Sequence, residues 1–194
     1  MSDAEKRLRG RPRDSDIDRR VLEVARDLLA AEGFAATTIQ ALARGAAVRS
    51  SAIYRRWPSR IELIEEAIFP GLDDVAVEPT GDLRRDLERF VAAYRSVVGT
   101  PAGLAALPAL LSTYHSGADR REPAARAWRS ARPQFRAILE AAPAADLDPK
   151  LDADDLFDLL VGAVLFRVFI GSQGLRAGAP DRTVDLVLRA ARPA

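Results

Sequence analysis

Residues 33–61 read GFAATTIQALARGAAVRSSAIYRRWPSRI. The stretch carries Arg44, Arg49, Arg55, Arg56 and Arg60, and no aspartate or glutamate. Between the cations run Ile39, Leu42, Val48, Ile53, Trp57 and Ile61, at spacings that hold two short helices together. A helical hairpin with an apolar underside, whose outer face carries only positive charge and small polar groups, is suited to approach phosphates as a helix-turn-helix. An ordinary solvated face mixes signs, as this chain does elsewhere.

The whole-chain charge of +1 hides this asymmetry. Residues 1–60 hold 13 Lys/Arg against 8 Asp/Glu, whereas residues 61–194 hold 16 against 20. A basic N-terminal part on an acidic remainder suggests a head that binds a polyanion and a body with another task. With no cysteine, disulfides and thiolate zinc sites are excluded. Residues 1–20 are polar throughout, and the longest apolar run, Leu159 to Phe166, is too short to span a bilayer. The expectation is a soluble, cytoplasmic protein with no membrane partner.

The hydrophobic period is helical everywhere and strand alternation is absent, so the fold class is all-α. Residues 1–14 form a basic tail. A first helix follows, with Ile17, Val21, Val24, Leu28 and Leu29 on one face, ended by Gly33. Thr38 caps a second helix, a third runs from about Arg49 to Arg56, and Ser59 to Glu62 is a capping box opening a fourth. Pro70, Gly71, Pro79 and Gly81 mark the boundary between a head over 15–69 and a body over 80–194. Body helices are expected over 82–98, 102–115, 122–142, 152–173 and 181–191.

The segment TTIQALARGAAVRSSAIYRRWPSRIELIEEA resembles the DNA-binding head of the TetR (tetracycline-repressor-like) family. The matching features are Thr37-Thr38, Val48 after the turn, Ile53-Tyr54, the aromatic Trp57 and Ser59-Arg60-Ile61-Glu62-Leu63. More loosely, LFDLLVGAVLFRVFIGSQGL with APDRTVDLVLRA is similar to the closing helix pair of one subgroup. The chain departs from the family pattern in the turn, where Ala47 stands at a usual glycine. An alanine held at positive φ there costs on the order of 1 kcal/mol. The resemblance implies a homodimeric repressor that leaves a pseudo-palindromic operator when a small molecule binds the body.

With Val48, Ile53 and Trp57 inward, the third helix presents Arg49, Ser50, Ser51, Tyr54 and Arg55 outward. Arg49, Ser50 and Ser51 at its N-terminal end are placed for base edges in the major groove. The resemblance implies phosphate contact by Tyr54 and a base contact from Gln40. Thr38 and Arg60 begin helices, where free backbone N–H groups favour phosphate. In the tail, Arg9, Arg11 and Arg13 around Gly10 and Pro12 resemble an AT-hook core for the minor groove. The alternative is a basic tail adding only non-specific attraction. Arg126, Arg129, Arg132 and Arg136 are read as a solvated stripe rather than a second DNA surface.

The body supplies two further expectations. Residues 152–173 are apolar on every side, and a helix apolar all round is buried all round. It is therefore expected to pair, with the last helix, against a second copy through Phe157, Leu160, Gly162, Ala163, Arg167, Val184, Val187 and Leu188. Phe90, Tyr94, Leu107, Leu110, Leu111, Tyr114, His115, Trp128, Phe135 and Phe166 are expected to line an apolar pocket for a small hydrophobic ligand. The alternative is that they fill the core.

No cofactor, metal or enzymatic activity is expected. His115 is the sole histidine, and Asp152, Asp154 and Asp155 read as first-turn acids of a helix. The competing function is a helical ligand-binding protein without operator-specific DNA binding.

Overall fold

A computed structural model of the chain describes residues 15–69, 77–116, 124–170 and 181–193, without the side chains of 114–116 and 124–130. Among these residues the regular structure is helical. The head comprises α1 (Ser15–Ala36), α2 (Ile39–Gly45), α3 (Ser50–Tyr54) and α4 (Arg60–Ile68). The body comprises α5 (Leu83–Val98), α6 (Pro101–Ser116), α7 (Ala124–Ala141), α8 (Ala153–Phe169) and α9 (Thr183–Ala191). No single helix among the described residues is long and apolar enough to cross a membrane.

Local chemistry sets the helix ends in the head. Gly33 breaks α1 at φ 81 and ψ −179, a conformation essentially restricted to glycine. Thr38 Oγ1 accepts from Ala41 N and Ser59 Oγ accepts from Glu62 N, so both expected N-caps form. The third helix is shorter than its expected span, because Arg56 N and Trp57 N both turn onto the Ile53 carbonyl.

Two hydrophobic clusters share α1 and α4. Val21, Ala25, Ile39, Leu42, Ile53, Trp57, Leu63 and Ala67 form the head core. Leu29 from α1, with Ile64 and Ile68 from α4, belongs instead to the body core. Each of these helices therefore packs in both directions, and moving one disturbs both cores. The body is centred on Phe90, Phe135 and Phe157, all essentially fully buried. Phe135 lies 5.6 Å from Phe90 and 5.5 Å from Phe157 between ring centroids, in edge-on geometry. Each such ring removed from water contributes about 1.5–3 kcal/mol.

Polar ties close the body. Asp86 is buried and accepts from Thr80 N, Thr80 Oγ1 and Gly81 N, with Arg89 at 3.5 Å. Burial alone raises its pKa, but these donors and the Arg89 charge outweigh it and hold the carboxyl below the usual range. The group fixes the chain just before α5. Arg132 and Arg136 of α7 pair with Asp154 and Asp158 of α8, and Arg132 also lies 4.6 Å above the Phe157 ring. These two arginines are thus helix-to-helix ties rather than a free stripe, and the side chains of Arg126 and Arg129 lie outside the description.

Candidate nucleic-acid interface

The turn between α2 and α3 sets the geometry of the reading surface. Ala47 adopts φ 54, the positive value anticipated for a glycine. Val48 N donates to Ala43 O at 2.9 Å and closes the turn. Gly45 brings this corner against α1, since a Cβ there would stand 2.6 Å from Val24 Cγ1. Beneath, Ile53 is fully buried and Trp57 nearly so, with Trp57 Nε1 donating to Glu66 Oε2 at 2.9 Å. The underside of α3 is thereby anchored and its outer side is free.

On that outer side Arg49, Ser51, Tyr54 and Arg55 are exposed, Tyr54 by 55%, while Ser50 is half-buried. Gln40 on α2 is exposed and Thr38 half-buried. Arg44, absent from the expected contact set, is exposed one helical turn after Gln40 and on the same side of α2. The acid-free stretch itself was the signal for it. Among the described residues Arg44, Arg49 and Arg55 make no ion pair or side-chain hydrogen bond. Three unopposed cations on one convex corner produce a positive field toward solvent.

Two other arginines of the stretch behave differently. Arg56 turns inward, pairs with Asp18 of α1 and donates to Ala52 O, so it joins α3 to α1 rather than enlarging the positive face. Arg60 is half-buried, donates through Nη1 to the carbonyls of Phe34 and Thr37, and lies 4.3 Å above the Phe34 ring. Burial lowers its pKa. The helix-start position of Arg60 suggested phosphate, but the α1–α2 junction lies within its reach and holds its guanidinium. Arg9, Arg11 and Arg13 lie outside the described residues.

This arrangement, a short exposed helix on a tight turn over a three-helix core, is matched by comparison with known proteins. Residues 21–67 match the bacterial regulatory proteins of the tetR family, and residues 77–187 match the tetracyclin repressor-like C-terminal domain. The chain belongs to the TetR family. An uncharacterized HTH-type transcriptional regulator of Mycobacterium tuberculosis, Rv1556, is 31% identical over 91% of this chain and 86% of its own. The uncharacterized HTH-type regulator YdeS of Bacillus subtilis is 28% identical over 84% of this chain and 83% of its own. The crystal structure of the TetR family transcription regulator SCO0332 superposes with a TM-score of 0.66 at 28% identity, covering 92% of this chain and all of that one. A TetR-family transcriptional regulator has a DNA-binding head and a ligand-binding body, and the two matches fall on those two parts.

In the TetR body, the residues expected to line a pocket fall into two groups. Phe90, Tyr94, Leu107, Leu110 and Phe135 are buried and packed into the core, where burial pushes the Tyr94 hydroxyl up to about 12. Leu111 and Phe166 are exposed, Phe166 by 58%, and so face away from that cluster. The side chains of Tyr114, His115 and Trp128 lie outside the description.

Of the expected dimer residues, Phe157, Leu160, Val187 and Leu188 belong to the core of their own body. Gly162 is exposed with open space beyond it, Ala163 and Val184 are half-buried, and Arg167 meets Asp181 at 3.4 Å. In this part of the body the exposed large apolar side chains are Leu159 and Phe166 on α8, Ile170 at its C-terminal cap and Leu186 on α9. Hydrophobic periodicity missed this division because α8 is apolar on both sides. Only packing shows which side is already covered.

Proposed function

We propose that the chain is a homodimeric, cytoplasmic repressor whose two heads grip a pseudo-palindromic operator and let go when a small hydrophobic molecule binds the body. The observation that carries the DNA reading is the exposed set Arg44, Arg49 and Arg55 around Tyr54, with no acid paired to it among the described residues. Arg49 reads a base edge, most favourably guanine, where its guanidinium makes two hydrogen bonds. Arg44, Arg55 and Tyr54 hold phosphates, Gln40 and Ser51 flank the groove, and Thr38 and Ser50 line its edge. Arg9, Arg11 and Arg13 extend the grip into the neighbouring minor groove.

The dimer reading rests on the stripe Leu159, Gly162, Ala163, Phe166 and Ile170, which runs down α8 at helical spacing. Large apolar side chains left in water along a whole helix face mark a protein contact. A second copy covers it with the same face, and Leu186 of α9 widens the contact into a four-helix seam. Two heads held at fixed separation then meet successive major grooves.

The test is a gel shift of the full chain with the DNA upstream of its own gene, against unrelated DNA as competitor. The expected result is a complex that unrelated DNA fails to displace, weakened in Tyr54→Phe on all sequences alike and absent in Phe166→Glu, which separates the subunits. Equal displacement by both DNAs would leave a helical ligand-binding protein with an idle head.

A further inference from the structure

An open cleft of about 410 Å³ lies where α1 and α4 meet the α5–α6 corner. Its walls include Ala30 of α1, Ile68 of α4, Val97 of α5 and Ala102 of α6. Among the described residues Arg26 is the only cation lining it, and Asp27 stands beside Arg26 on the exposed rim. Arg26 is half-buried and donates through Nη1 to the Ala67 carbonyl at 3.2 Å. That carbonyl is in the last turn of α4, where helix carbonyls lack an onward partner. Among the described residues the remaining guanidinium nitrogens of Arg26 have no protein partner.

We propose that this cleft is the effector site, and that it takes a small amphiphile with one carboxylate and an aliphatic or aryl body. The proposal rests on the regulator reading above and gives that reading a site and a ligand class. The volume falls within the range of small-molecule sites, about 300–1,000 Å³. The apolar walls suit a hydrocarbon, and the half-buried guanidinium suits a carboxylate, which it engages through two parallel hydrogen bonds. Asp27 opposes an anion only weakly, because water screens it at the rim. The rings of the aromatic core already meet one another edge to face.

Position gives the cleft its consequence. An occupant touches α1, α4 and the α5–α6 corner together. Its carboxylate competes for Arg26 with the Ala67 carbonyl, the hydrogen bond that ties α1 to the end of α4. Loosening that tie releases a helix whose Leu63 and Ala67 are part of the head core and whose Ile64 and Ile68 are part of the body core. The head then shifts on the body, and a ligand that favours the shifted position disfavours the DNA-bound one.

The test is calorimetric titration of the full chain, without DNA, with decanoate, decanol and decylamine. Decanoate is expected to bind about tenfold more tightly than decanol, the worth of one charge-assisted pair, and decylamine more weakly than either. Ala30→Trp fills the cleft from the exposed side of α1, and is expected to abolish decanoate binding at an unchanged melting temperature. Arg26→Gln is expected to bring decanoate down to the affinity of decanol. No binding of decanoate at millimolar concentration, wild-type affinity in Ala30→Trp, or a preference for decylamine would each overturn the proposal. Operator binding is scored separately by gel shift. A chain that holds its operator and ignores decanoate rejects the cleft alone, and one that binds decanoate but no operator rejects the regulator reading alone.

Discussion

Three arginines of the head and five of the body meet opposite fates. Arg44 on α2 and Arg49 and Arg55 at the two ends of α3 are exposed, and among the described residues they make no ion pair. In the body, Arg84 pairs with Asp185, Arg95 and Arg167 with Asp181, and Arg132 and Arg136 with Asp154. The residue type is the same, but these five body arginines tie helices together, as Arg56 and Arg60 do within the head, whereas Arg44, Arg49 and Arg55 stay exposed. Asp181 shows the cost of such use. Its burial raises its pKa, and hydrogen bonds with Thr183 and the Arg167 and Arg95 charges reverse that shift to a net lowering. Sign segregation, rather than net charge, therefore marks the functional surface.

The contrast can be broken most severely at the body's centre. Phe135→Ala removes the ring that touches both Phe90 and Phe157, and is expected to lower the unfolding free energy by about 3–5 kcal/mol. Urea unfolding followed by circular dichroism measures it. A loss below about 1 kcal/mol would mean that this core is loosely packed, contrary to the ring geometry.

A paired substitution sharpens the contrast between the two arginine sets. Arg49→Ala is expected to weaken the operator complex by about 1–3 kcal/mol, and to do so only at particular base positions, with the melting temperature unchanged. Arg132→Ala is expected to lower the melting temperature and leave operator affinity intact. Anisotropy titrations and thermal melts on both variants should show this crossed pattern, and parallel changes would dissolve the distinction.

Arg60 lies between the two classes. Removing its hydrogen bonds to the Phe34 and Thr37 carbonyls and its contact with the Phe34 ring should cost about 1–2 kcal/mol of stability. Arg60→Ala is therefore expected to show a clear drop in denaturation midpoint. A stable variant with weakened DNA binding would return Arg60 to the contact surface. The smallest effect is expected at Ala47, whose φ of 54 suits glycine better. Ala47→Gly should raise stability by about 0.5–1 kcal/mol in the same denaturation measurement, with operator affinity unchanged.

The features that were legible in the sequence are those set by local chemistry. Thr38 and Ser59 announce helix starts because a cap bonds within three residues. Ile53 and Trp57 announce the underside of α3 because helical spacing fixes their side. The Arg56–Asp18 pair was hidden, since its partners are 38 positions apart and only the packing of α3 on α1 brings them together. The inward hydrogen bonds of Arg60 were hidden for the same reason, its carbonyl partners lying 23 and 26 residues back. On α8 the apolar pattern was plain but its division was not, because Phe157 and Leu159 look alike until one of them is covered.

Hydroxyl-radical footprinting of the full chain on DNA selected from a random pool tests the central claim most directly. The account predicts two protected half-sites on one face of the duplex, about one helical turn or a whole multiple apart, both needing about tenfold or more protein in Arg49→Ala. Uniform protection without half-sites, or an unchanged footprint in Arg49→Ala, would contradict it.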